Sequence, residues 1–434
     1  MTRILRGPLL RFRADPFTEG AEAALGWHDD GAVAFADGRI SAVGEAAHVI
    51  AAHPGAEVTT TGGHLIAPGF VDCHLHYPQT GIIASWGAQL LDWLNTYTFP
   101  EESRFSDPAH AAATARAFFD LTLAHGITTT ASYCTIHPAS VDAYFTEGRA
   151  RGLRAVGGRT MMDRNAPDTL RDTAQTAYDE SKALIACWHG KGRATYAVTP
   201  RFAPTSTPAQ LQAAGALWAE HPDCPMQTHL SENHAEIAWV AKLFPDAPDY
   251  LGVYQRFGLA GPGAVFGHAI HLTARERAAL AESGSGVAHC PTSNHFLGSG
   301  ECDVAGLKGL GIPVGLASDV GGGSSFSMFD TMKAAYEIGQ RRGVALSPVH
   351  LWWLATEGAA RTLRLSRHVG NLEPGREADL ILIDPAATPL LAARTARAQT
   401  PAELMFALIV LADDRAVAQV WSAGRPVHTR APVR

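Results

Sequence analysis

Apolar positions along this chain follow two rhythms. Between residues 66 and 318, short apolar runs alternate with longer stretches in which alanine and leucine recur every three or four positions. The runs are IAPGFVD (66–72), GITTTAS (126–132), LRAVGGRT (153–160), ATYAVT (194–199), CPMQTH (224–229), AVFGH (264–268), SGVAH (285–289) and IPVGLAS (312–318). Each is short and bounded by turn-forming residues, as buried parallel strands are. The stretches between them, such as DPAHAAATARAFFDLTLAH and TPAQLQAAGALWAEH, have the spacing of amphipathic helices. Helix starts are marked by Thr207 before Pro208, and by Thr273 three residues ahead of Glu276. Eight such strand–helix units in succession predict an α/β fold, a closed (β/α)8 TIM-like barrel.

The two chain ends read differently. GAVAFADGRISAVGE near the N-terminus, and ADLILID and AQVWSAGRPVH near the C-terminus, are short alternating pieces separated by glycine and proline turns. Neither end has enough strands to bury a core alone. We therefore expect residues 1–66 and 368–434 to pair into one small, discontinuous β-sandwich domain beside a barrel spanning 67–367.

Composition narrows the partners. A formal net charge of -7 leaves no basic surface for nucleic acid or anionic membrane. The six cysteines contain no CxxC pair, which points to reduced thiols and a cytoplasmic setting. MTRILRGPLLRFRADPF has charges interrupting any apolar core and does not read as a signal peptide. LMFALIVLA, at 404–412, is too short to cross a bilayer.

Chemistry concentrates at the strand ends. His74 and His76 follow APGFVD, His229 follows PMQT, His268 follows AVFG, and Asp319 follows IPVGLAS. With 20 histidines in the chain, about one His-X-His pair arises by chance, so His74-Leu75-His76 alone is weak evidence for a metal site. On an extended chain, however, residues two apart share a face. Catalytic residues of such barrels sit at the C-terminal strand ends, where all these residues fall. Imidazoles with a carboxylate suit a mononuclear Zn²⁺ or Fe²⁺ with an open position for water. Glu232, three residues past His229, would by itself read as a helix-start glutamate; beside a ligand histidine it reads as a general acid/base.

PGFVDCHLHYPQTGIIASWGAQLLDWLNTYTFPEE (68–102), MDRNAPD (162–168), VTPRFAPTS (198–206), THLSEN (228–233), HCPTSN (289–294) and DVGGG (319–323) together resemble the metal-dependent amidohydrolase superfamily and, within it, the guanine deaminases. The resemblance covers nearly the whole chain, and HYPQ and TPRF are its most selective parts. It implies hydrolysis of guanine to xanthine and ammonia. It implies one Zn²⁺ per subunit, or Fe²⁺, held by His74, His76, His229 and Asp319. It implies Glu232, Asp319 and His268 as catalytic residues, and substrate contacts from His76, Gln79, Arg201, Phe202, His229, Glu232 and Asp319. A cytoplasmic homodimer acting on a small-molecule purine, without nucleic acid or membrane partners, completes the expectation.

Binuclear relatives carry a modified lysine where this chain has Thr199-Pro200-Arg201, which favours a single metal. Ser318, where a threonine is usual, and His295, where an aliphatic residue is usual, depart from the family pattern. The same ligands would also serve a relative that acts on an oxidised guanine, a pterin or a chlorinated triazine. A non-catalytic scaffold is disfavoured, because every ligand is present. His271 is expected to face away from His268, and His289-Cys290 to pack beside the site without ligating. Gly321 to Gly323 is read as room for close backbone passage, since no phosphate-loop lysine follows.

Overall fold

The computed structural model describes residues 1–87 and 89–431, so Ala88 of the 68–102 stretch and the last three residues lie outside it. At the N-terminal end lie β1 (Arg3–Phe12), β2 (Leu25–Ala36), β3 (Arg39–Glu45), β4 (Glu57–Thr60) and β5 (Leu65–Pro68). β2 and β3 form a hairpin whose two turn residues, Asp37 and Gly38, have φ of 51° and 80°. That left-handed pair is what an Asp-Gly turn supplies to match strand twist.

The barrel follows. Its strands are β6 (Phe70–Leu75), β7 (Ile127–Tyr133), β8 (Arg154–Gly158), β9 (Thr160–Met161), β10 (Ala194–Tyr196), β11 (Thr199–Pro200), β12 (Met226–Leu230), β13 (Ala264–His268), β14 (Gly286–His289) and β15 (Val314–Leu316). One sheet runs β10-β8-β7-β6, another β12-β13-β14-β15, and β11 pairs with β9. Gln227 N–H bonds the Val198 carbonyl at 2.9 Å, joining the two halves on one side. On the other side, Asp319 N–H bonds the His74 carbonyl at 3.0 Å and His76 N–H bonds the Val320 carbonyl at 2.6 Å. The result is the (β/α)8 TIM-like barrel that the alternation predicts.

Three expected strands break, among them the run 194–199, which is divided between β10 and β11. The run 66–72 divides at Gly69: Leu65–Pro68 belongs to the sheet of the chain ends, and Phe70 begins the barrel. A Cβ at Gly69 would lie 2.2 Å from Thr128 Oγ1, so only glycine allows the passage. The run 153–160 is interrupted at Arg159, whose buried guanidinium pairs with Asp172 at 2.6 Å. A side chain that must reach a counter-charge does not fit a continuous apolar strand. Helix starts occur as expected: Thr207 accepts from Gln210 N–H, and Thr273 forms a capping box with Glu276.

The chain returns with β16 (Leu380–Ile383), β17 (Val417–Ser422) and β18 (Arg425–Thr429). These join the first five strands in one eight-stranded sheet of order β18-β17-β16-β5-β1-β2-β3, with β4 beside β1. Leu5, Leu9, Val33, Phe35, Ile66, Leu380, Leu382 and Trp421 form a buried cluster from both ends of the chain. Asn371 ties the ends further, accepting from Phe12 N–H and donating to the Phe12 carbonyl, each at 2.8 Å. Two compact units result: Met1–Asp72 with Asp120–Thr129 and Ser327–Arg434, and Cys73–Phe119 with Thr130–Phe326. Among the described residues, no helix is long and apolar enough to cross a membrane.

Gly158 marks a tight point of the barrel wall: an added Cβ would sit 1.8 Å from the Ala197 carbonyl oxygen and 2.8 Å from Thr199 Oγ1. Gly158→Ala is expected to lose about 1–3 kcal/mol of stability. Gly309→Ala, where a Cβ meets nothing within 4 Å, should be neutral. Denaturant titration of the two variants checks the contrast.

Candidate active site

The barrel gathers the strand-end residues around one point. His74 Nε2 lies 3.3 Å and His76 Nε2 3.4 Å from Asp319 Oδ1. His76 Nε2 lies 3.2 Å from His229 Nε2. Donors about 2.1 Å from one ion at tetrahedral angles stand about 3.4 Å apart, and these three separations match that spacing; His74, His76 and His229 form one candidate ligand group, and His74 and Asp319 fall together in a second. His229 Nδ1–H donates to the Arg201 carbonyl at 2.7 Å, which turns the Nε2 lone pair towards the other three.

Electrostatics agree with that reading. Burial pushes the pKa values of His74, His76 and His229 down, which keeps the imidazoles neutral and able to donate lone pairs. For Asp319 burial acts upward, but its interactions with His74, His268 and His229 outweigh it and bring the group to about 2. Three neutral imidazoles and a carboxylate fit a divalent Zn²⁺ or Fe²⁺.

His268 stands slightly apart. Its Nε2 is 3.4 Å from Glu232 Oε2 and 3.7 Å from Asp319 Oδ2, while Nδ1–H donates to Asn294 Oδ1 at 2.9 Å. It therefore stands between two carboxylates. Cys290 could join His74, His268 and Asp319 around an ion. Burial pushes its thiol well up, however, so it remains a poor ligand.

Beside this cluster lies a cavity. His76, Gln79, Arg201, Phe202, His229, Glu232, His268 and Asp319 line it, with Leu90, Trp93, Leu94 and Leu297 as apolar wall. His74 is not part of that lining and is only 1% exposed. Glu232 is buried, and burial raises its carboxyl to about 7; the neighbouring carboxylates of Glu236 and Asp319 add to the shift, against His268 and a 2.9 Å hydrogen bond from Ser299.

The residues set aside in the sequence lie elsewhere. His271 Nε2–H donates to the Ser299 carbonyl at 2.8 Å, and its ring lies 3.9 Å from that of His234. His289 is buried, with its pKa pushed by burial to about 3, and belongs to neither ligand group of the cluster. His295 is exposed and does not line the cavity. A Cβ at Gly321 would lie 2.7 Å from the Gln79 carbonyl oxygen, which accounts for glycine there.

Four residues near the site escaped the sequence reading. Glu102 accepts from Arg201 Nη1 at 2.5 Å and from Gln79 Nε2 at 2.9 Å. Asn294 orients His268, and Ser299 holds Glu232. Tyr133 packs its ring 4.7 to 4.8 Å from those of His74, His76 and His229. Glu102 and Asn294 lie inside TFPEE and HCPTSN, where their motifs were the available signal; nothing local marks Tyr133 or Ser299.

Room for His74 depends on Gly267, where an added Cβ would lie 2.6 Å from the imidazole Cε1. Gly267→Ala should weaken metal binding about 10- to 100-fold, an effect typical of disturbing a ligand's support; metal analysis after dialysis measures it. Protonated imidazole cannot ligate, and His74, His76 and His229 have pKa values lowered from 6.5. Metal affinity should therefore be flat above pH 6.5 and fall only at lower pH, as competition with an indicator chelator will read.

Comparison with known proteins agrees with this geometry. The family model described as "Amidohydrolase family" matches residues 65–427. Guanine deaminase of Escherichia coli (strain K12) is 44% identical over 368 residues, covering 85% of this chain and 84% of that protein. The solved structure of E. coli guanine deaminase superposes with a TM-score of 0.97 at 40% identity, covering 99% of this chain and 100% of that one. Guanine deaminase from C. acetobutylicum, solved with guanine bound in its active site, gives a TM-score of 0.91 at 27% identity, covering 99% of this chain and 100% of that one. The chain belongs to the amidohydrolase family and, within it, to the guanine deaminase group.

Proposed function

We propose that this protein is a hydrolytic deaminase that converts guanine and water to xanthine and ammonia. The observation that carries the reading is the placement of Glu232, a buried carboxyl with pKa near 7, in a cavity lined also by His76, His229 and Asp319, against a cluster with metal-ligand spacing. The named activity of the relatives supports it.

In this reading His74, His76, His229 and Asp319 hold a single Zn²⁺, or Fe²⁺. Such an ion supplies a nucleophilic water at neutral pH by lowering the water's pKa from 15.7 to about 7. Phe202 stacks on the purine face, while Gln79 and Arg201 take the edge carrying O6. His76, His229, Glu232 and Asp319 line the cavity where C2 and the exocyclic amine must lie. His268 orients the attacking water and the reacting centre. Asp319 accepts the proton released as water adds to C2, and Glu232 gives one to the ring nitrogen. The tetrahedral adduct collapses as the amine takes the proton held by Asp319 and leaves as ammonia, while the C2 hydroxyl returns a proton to Glu232 and becomes the carbonyl of xanthine. A carboxyl with pKa near the working pH can give and take protons with little bias.

The proposal includes a cytoplasmic homodimer; six free thiols suit a reducing compartment. It includes an end domain of residues 1–66 and 368–434 beside a catalytic barrel of 67–367. The eight-stranded sheet, drawn only from the two chain ends, supports that division.

Glu232→Gln should retain its metal and lose about 10²- to 10⁴-fold in kcat. Xanthine and ammonia are measured together on samples of known metal content, with a chelator-treated control that should be inactive. A near wild-type rate in Glu232→Gln would remove the proton-transfer role. A metal-loaded wild-type protein inert to guanine would overturn the function.

A further inference from the structure

We propose that Glu102 is a positioning residue that determines which purine edge the cavity accepts; the inference rests on the deaminase reading above. Glu102 lies on the short helix Phe99–Ser103 and is 1% exposed. One of its oxygens accepts from Arg201 Nη1 at 2.5 Å, and the other from Gln79 Nε2 at 2.9 Å. Arg201 and Gln79 both line the cavity. A single carboxylate thus holds the two polar groups assigned to the substrate edge.

The pairing sets a direction as well as a place. An ionised carboxylate only accepts hydrogen bonds, so the Gln79 amide must turn its NH₂ towards Glu102. Its Oε1 in turn accepts from Gly321 N–H at 3.3 Å, and a backbone N–H only donates. Rotating the amide by 180° would oppose acceptor to acceptor at Glu102 and donor to donor at Gly321. Glu102 therefore fixes which part of the Gln79 amide faces which part of a bound ring. The Arg201 guanidinium, 5.7 Å from the Phe99 ring centre, is held by the same carboxylate. A base lacking an acceptor at O6 leaves such pre-set donors unpaired, and that is how polar sites discriminate.

A counter-charge for Arg201 would explain one of the two contacts. It does not explain the bond to Gln79, and this difference makes the role testable. Glu102→Gln can face Gln79 with either end of its amide, so only the longer 3.3 Å contact from Gly321 N–H still favours one direction. Glu102→Asp keeps the charge but is one methylene shorter, so it cannot hold both partners in place.

The readouts are KM and kcat for guanine, together with the ratio of inhibition constants of purine and hypoxanthine, which differ in O6. Metal content and melting temperature are measured on the same samples. In Glu102→Gln, KM should rise about 10- to 100-fold and kcat should fall much less, while the purine-to-hypoxanthine ratio drops about tenfold or more at unchanged metal content. Glu102→Asp should show the same loss of discrimination, and it carries the test alone if Glu102→Gln does not fold. A wild-type ratio in either soluble, metal-loaded variant overturns the role. Wild-type protein that leaves guanine untouched defeats the function reading instead, whereas wild-type turnover with unchanged discrimination in the variants overturns only Glu102.

Discussion

Two backbone hydrogen bonds, Asp319 N–H to the His74 carbonyl and His76 N–H to the Val320 carbonyl, carry the site. They tie the segment after β15 to β6, and so bring the carboxylate to the His-X-His pair across more than half the chain. His229 reaches the same point from β12. Closure has a local cost: His268 and Asp319 adopt φ of 68° and 52°, in the left-handed region that side-chain-bearing residues avoid. Such positions cost about 1–3 kcal/mol each and persist only where the surroundings over-determine them. Here the strain turns side chains into the cavity that a regular strand end would direct elsewhere.

Two carboxyl groups in this cavity are driven to opposite ends of their range, Asp319 to about 2 and Glu232 to about 7. Both are buried, so burial alone cannot explain the split. Asp319 has several imidazoles around it, whereas Glu232 has only His268 and the Ser299 hydroxyl to offset its burial, and the carboxylates of Glu236 and Asp319 add to the upward shift. The environment thus sets the two groups apart although the acids are chemically alike. The same principle governs the Arg201–Glu102 pair, in which each buried charge depends on the other; removing one partner of such a pair typically costs about 3–5 kcal/mol.

Much of this was legible in the sequence because barrels write their function at fixed places. Apolar runs mark the strands, and the first polar residues after them mark the active face; His74, His76, His229, His268 and Asp319 were all found that way. Strand interruptions were not legible. IAPGFVD reads as one apolar run, and only a close approach to Thr128 divides it at Gly69. Arg159 looks like the end of a strand, and only Asp172 explains how it is buried. Ser299 was invisible as a site residue because its role comes from a partner distant in sequence, Glu232; Glu102, whose partner Arg201 is equally distant, had only its motif as a signal. Gln79, Arg201 and Phe202 were recognised through their motifs, since no local pattern sets them apart from ordinary polar and apolar residues.

The sheet built by both chain ends has a consequence for biogenesis. Strand β5 is paired along one edge with β16, with Leu65 opposite Ile383. During synthesis at about 5–20 residues per second, that edge waits for tens of seconds before its neighbour leaves the ribosome. Leu65, Ile66 and Ala67 are buried once the sheet is complete, yet until then they form an apolar strand with unsatisfied backbone groups, the kind of edge that invites pairing with other chains. The nascent chain is thus most exposed to aggregation while its barrel is still being made, and holding back the N-terminal strands during that interval is work for a chaperone.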